Sequence, residues 1–134
     1  MPNYIGTTIN ESPVVTGVAA AEISAGSFLV AKFDGNGKIV KAGAAGEKVL
    51  GLMIAETNGV AAGDDVTIQI KDQGLWTAGA PIAAGALLTT DANGKAVTAS
   101  AAGQYILAMA LEAASAADKV IHVAIIHGGS YYTT

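Results

Sequence analysis

The sequence predicts a mainly β fold: a small single-domain barrel or sandwich built from two similar units of roughly 55 residues, with an extended N-terminal arm and little helix. Three observations carry this. Residues 81–112 repeat residues 26–56, and short apolar runs alternate with glycine turns along most of the chain. VTIQIK at 66–71 and VIHVAII at 120–126 also alternate apolar and polar positions with the period of a strand.

The repeat is clearest when Asp34 is set against Asp91, an offset of 57 residues. Asn36, Gly37, Lys38, Val40, Ala42, Ala44, Ala45, Gly46 and Leu50 then meet identical residues at Asn93, Gly94, Lys95, Val97, Ala99, Ala101, Ala102, Gly103 and Leu107. Ile121, Val123 and Ile125 repeat Val66, Ile68 and Ile70 at an offset of 55. The chain therefore divides into an arm at 1–20, a β domain at 21–128 with units at about 21–74 and 75–128, and a tail at 129–134.

Residues 1–20 have no sustained period. Their apolar residues, Tyr4, Ile5, Ile9, Val14 and Val15, are too scattered for a core element, so the segment is either an arm that orders against a partner or a frayed terminus without a role. A strand follows at about 28–33, and Gly35-Asn36-Gly37 supplies the positive φ that a hairpin turn requires. Residues 38–42 return as a strand. VLGLMIA within 48–55 reads as a buried strand, with Gly51 at a bulge or a close backbone approach. Asp72-Gln73-Gly74 reads as a turn, after which Leu75-Trp76-Thr77-Ala78 begins a strand. Residues 110–118, ALEAASAAD, favour one or two helical turns.

Composition excludes several classes. The chain has no cysteine, so disulfide frameworks and thiolate metal sites are ruled out. With seven Lys and Arg and a net charge of −4, it has no basic face for nucleic acid. No apolar stretch is long enough for a transmembrane helix, and the N-terminus lacks the pattern of a secretory signal. The reading is of a chain that starts near Met1 and is made in the cytoplasm. Only 13% of residues are charged, which implies that self-copies or a partner cover part of the surface, or that Gly, Ala, Ser and Thr do so instead.

No catalytic constellation stands out, and no cofactor or metal site is expected. His122 and His127 fall on opposite faces of one strand, and His122 should point to solvent. Asp34-x-Asn36-Gly37 resembles the opening of a calcium loop, but its glycine comes too early and the closing Glu is missing, so a hairpin turn explains it better. Trp76 fits core or interface better than a ligand platform, and with Leu75 it marks a candidate oligomer interface.

AGSFLVAKFDGNGKIVKAGAAGEKVLGLMIA, then GDDVTIQI, then TTDANGKAV resemble the capsid cement or head decoration proteins of tailed bacteriophages, over about residues 20–127. The resemblance implies a small β protein, typically a homotrimer, on the outer capsid surface of the virion. Its partner would be the major capsid protein, and its role to stabilise the shell against internal DNA pressure. It also implies a docking role for the arm, through Asn3, Tyr4, Ile5, Thr7, Ile9, Val14 and Val15. The alternatives are another virion structural or host-surface adhesion module, such as a fibre or spike base, and a small-ligand-binding β-barrel.

Overall fold

The computed structural model describes residues 12–24, 28–54 and 59–132. Among these are ten strands and no helix: β1 (Val14–Val18), β2 (Val30–Phe33), β3 (Ile39–Lys41), β4 (Gly51–Met53), β5 (Asp65–Gln69), β6 (Gln73–Thr77), β7 (Leu87–Thr90), β8 (Ala96–Thr98), β9 (Tyr105–Ala110) and β10 (Val120–Ser130). They form two five-stranded antiparallel sheets, in the orders β1-β5-β4-β2-β3 and β6-β10-β9-β7-β8. Adding five to every strand number turns the first order into the second. The internal repeat is thus a repeat of topology.

The equivalence extends to register. Met53 faces Ile68 across β4 and β5, and Ala110 faces Val123 across β9 and β10. Isolated parallel bridges join Ala19 to Ile39 and Ala78 to Ala96, so in each sheet the two edge strands touch at one point. That contact requires each sheet to curl, yet neither closes into a barrel. Each unit also has its own core: Ala19, Ala31, Ile39, Met53, Val66 and Ile68 in the first, and Trp76, Leu88, Ala96, Ile121 and Val123 among others in the second. The arrangement is a small β sandwich, which decides between the barrel and the sandwich that the sequence left open.

Three further expectations change. Residues 14–18 of the expected arm are a sheet strand, in which Val15 pairs with Ile68 and Gly17 with Val66. Their counterpart is β6, where Gly74 pairs with Val123 and Trp76 with Ile121. The expected helix at 110–118 is absent, because Ala114 exchanges two backbone hydrogen bonds with Ile82 and Leu111 N–H donates to the His122 carbonyl. A nine-residue helix is marginal alone, and these extended pairings displace it. The expected tail joins β10 as far as Ser130, after an irregularity between Ile125 and Gly129.

The turns account for the repeated D-x-N-G-K phrase. Asp34 Oδ1 accepts from Asn36 N–H and Lys38 N–H, and Asp91 Oδ1 accepts from Asn93 N–H and Lys95 N–H. Gly37 and Gly94 then take positive φ values of 77° and 78°, where a Cβ would be strained. The A-A-G phrase has a matching device. Glu47 Oε1 accepts from Gly43 and Ala44 N–H, while Gln104 Oε1 accepts from Ser100 and Ala101 N–H.

Burial raises the Glu47 carboxyl, but the Lys32 ammonium at 2.8 Å and the two loop N–H groups outweigh it and leave it below its usual range. A lowered folded pKa gives stability that is complete above the unfolded value and is lost as pH falls through the folded one. Glu47→Ala is expected to cost about 1–2 kcal/mol at neutral pH by urea titration. Glu47→Gln should cost less than half of that, since Gln104 closes the equivalent loop as an amide. The gap between wild type and Glu47→Ala should narrow on acidification.

The units meet through residues that face away from the first core. Along β2, Ala31 points into the first core, while Val30, one residue earlier, joins the second. Leu52 does the same in β4 and reaches Gly74, where an added Cβ would lie 2.6 Å from Leu52 Cδ1. The Gly94 carbonyl accepts from both Val30 N–H (3.1 Å) and Trp76 Nε1 (2.9 Å), tying the second core to the first sheet. Gly46 adds two backbone bonds across the junction, donating to the Thr90 carbonyl and accepting from Tyr105 N–H. Nearby, Thr89 Oγ1 is the one buried side-chain polar atom without a partner among the described residues. Thr89→Val is therefore expected to stabilise the fold by about 1 kcal/mol, measured by urea titration.

Candidate functional site

The polar side chains are scattered over the surface, some of them in pairs. His122 lies on the outer face of β10, as expected, with its Nδ1 2.6 Å from Glu112 Oε2. This hydrogen bond is the main cause that holds the Glu112 carboxyl below its usual range. His127 Nδ1 bonds the Tyr105 hydroxyl, whose pKa burial pushes up. Asp64 and Asp65 are exposed at the start of β5, and Lys95 pairs with Asp118 at 2.6 Å. Among the described residues, no three His, Asp or Glu side chains gather to hold a metal ion. The Asp34 carboxylate is engaged by its own turn, and the Lys38 and Asn36 N–H groups lower its pKa.

The distinctive surface is apolar. On the outer face of the second sheet, Leu75 pairs with His122, Val120 with Thr77, and Met109 with both Leu87 and Ala124. Leu111, Val120 and Ile126 are exposed beside them. A groove at the junction, lined by Phe28, Leu52, Ile54, Gln69 and Leu75 among others, connects this face to the first unit. Few charges interrupt it, so its desolvation costs little and its burial against a partner is favourable.

The expected contact residues separate here. Leu75 stands half-buried on the outer face, whereas Trp76 points the other way and is fully buried in the second core. Trp76 acts on any interface only through the fold. Val14 and Val15 are half-buried in edge strand β1, and Asn3, Tyr4, Ile5, Thr7 and Ile9 lie outside the described residues. Met109, Leu111 and Val120 were missed by the sequence reading. Their signal was available, because Met109 in β9, Leu111 just after it and Val120 in β10 are apolar at positions where a strand that faces water would be polar.

Fold and surface together define a small β module with an apolar outer face. The sequence matches the phage cement protein family over residues 36–125, more than half of the chain. The chain belongs to the phage cement protein family, a family of structural proteins associated with the phage head. No curated protein matches the sequence. Among solved structures, the chain is similar to the N base of the head fiber protein gp8.5 of bacteriophage phi29, with a TM-score of 0.59 and 20% identity. That alignment covers 90% of this chain and 98% of the other, and it supports the fold.

Proposed function

We propose that this protein is a capsid decoration protein that binds the outside of the assembled head, contacts the major capsid protein, and stabilises the shell against internal DNA pressure. Family membership is the observation that carries this reading. The mechanism is linkage: a ligand that binds the assembled shell and not its separated subunits shifts the balance toward assembly. Many symmetric copies achieve this with modest individual contacts. The protein acts as a homo-oligomer, with a trimer the expected count, and performs no catalysis. The apolar outer face around Leu75, Leu111 and Val120 supports a contact role, and residues 3–9 make docking contacts of their own.

A second reading, a base that carries a head fibre, draws support from the likeness to the phi29 N base. Both readings place the chain on the head. Co-sedimentation of purified full-length protein with assembled heads, and separately with unassembled capsid subunits, tests them. The expected result is saturable binding to assembled heads and little to free subunits. Equal binding to both, or to neither, would overturn the decoration reading.

A further inference from the structure

The junction between the two units has two different halves, and each half has a counterpart left uncovered on the same chain. On the first unit the half is the outward side of β2 and β4. Val30 and Leu52 pair there and are 0% and 2% exposed beneath the second unit. The counterparts on the second unit are Leu87 and Met109, which pair in the same way, yet Leu87 is only half-buried and Met109 is 36% exposed. On the second unit the half is the end that bears Thr90, Gly94 and Leu107, all buried. A Cβ at Gly94 would meet Lys41 and Leu29 of the first unit. The counterparts there are Phe33, Gly37 and Leu50: Phe33 is 55% exposed, Leu50 is half-buried, and the space around Gly37 is open. Phe33 and Leu50 also line a groove with Lys32, Lys48 and Val49.

We propose that a second copy of this chain docks its Leu87–Met109 face against the Phe33–Leu50 end of the first, repeating between molecules the junction that the units make within one. The occupant is another copy because the contact continues an interface that the chain already forms, and both complementary halves sit on one molecule. Such a contact is heterologous: copies add head to tail and close into a ring where the rotation permits. The inference deepens the oligomer proposed above and rests on that reading for the closed count of three.

Two differences make the intermolecular contact shallower than the internal one. Gly103 N–H donates to the Tyr131 carbonyl, where its counterpart Gly46 donates to Thr90 across the junction, so the C-terminal segment already occupies that position. Val15 also stands where Gly74 leaves room for Leu52. The apolar side chains remain to drive association, which is therefore concentration-dependent.

The test is the solution mass of the full-length protein by light scattering over a concentration series, for wild type, Met109→Lys and Phe33→Glu. Both substituted side chains lie at the surface, and unchanged thermal midpoints verify that the variants fold. Wild type should associate, and each variant alone should remain at monomer mass. An equimolar mixture of the two variants should recover a two-chain species, because each supplies the half that the other lacks. A monomeric wild type, variants that associate like wild type, or a mixture that stays monomeric would each overturn the proposal. Head binding is measured separately, so a chain that assembles in this way but ignores heads keeps this inference and loses the capsid reading.

Discussion

Trp76→Ala is expected to destabilise the protein by about 3–5 kcal/mol in a urea titration followed by circular dichroism. The indole is fully buried in the second core, and its Nε1 donates to the Gly94 carbonyl. The truncation therefore opens a cavity and removes a bond at the turn that seats the second unit on Val30. Trp76→Phe should cost less, because it keeps most of the volume and the Gly94 carbonyl retains Val30 N–H. The counterpart of Trp76 is Gly17, where an added Cβ would lie 2.4 Å from Ile39 Cγ1, and the counterpart of Ile39 is Ala96. Each unit thus combines one large and one small residue at this place, in opposite order. Trp76→Gly combined with Ala96→Ile copies the first unit's solution and should recover part of the stability that Trp76→Gly alone loses. No recovery would mean that the two cores are not equivalent there.

Gly51→Ala is expected to be the most damaging methyl addition. A Cβ at Gly51 would lie 2.1 Å from the Gln69 carbonyl oxygen and 3.0 Å from Ile68 Cγ2. The obstacle is backbone, so β4 and β5 must separate to admit it, and the neighbouring Leu52 leaves the junction with them. Overpacking of this kind costs about 1–3 kcal/mol or more, and the urea midpoint should fall accordingly. The counterpart, Ala108, already carries the methyl group, and Ala108→Gly should cost only about 0.5–1 kcal/mol. If Gly51→Ala proved neutral, the tight approach of β4 to β5 would be refuted.

The parts of the fold that the sequence made legible are those fixed by local chemistry. The D-x-N-G-K turns declare themselves because one carboxylate oxygen caps two N–H groups and glycine supplies the positive φ. VTIQIK declares itself by alternation, and Gly51 by standing inside an apolar run. What stayed hidden depends on contacts distant in the chain. VVTGV at 14–18 looked like part of an arm because Gly17 stands where the second unit has Trp76, so the strand shows too little apolar character on its own. ALEAASAAD has helical propensity, and the pairings of Ala114 with Ile82 and of Leu111 with His122 override it. Which side of Leu75-Trp76 faces outward follows from register against β10, which composition does not encode. Apolar residues at polar-phase positions such as Met109 and Val120 signal the outer apolar face, but that it stays uncovered while Val30 and Leu52 are buried follows only from how the two units pack.

DNA retention by heads is the property that a stabilising protein must change. Heads prepared without the protein would be heated in steps, with and without saturating full-length protein, and released DNA followed by dye fluorescence. The protein is expected to raise the temperature of DNA release, with the effect saturating as the sites fill. Release at the same temperature, despite confirmed binding, would contradict a stabilising role and leave a head-associated protein of another purpose.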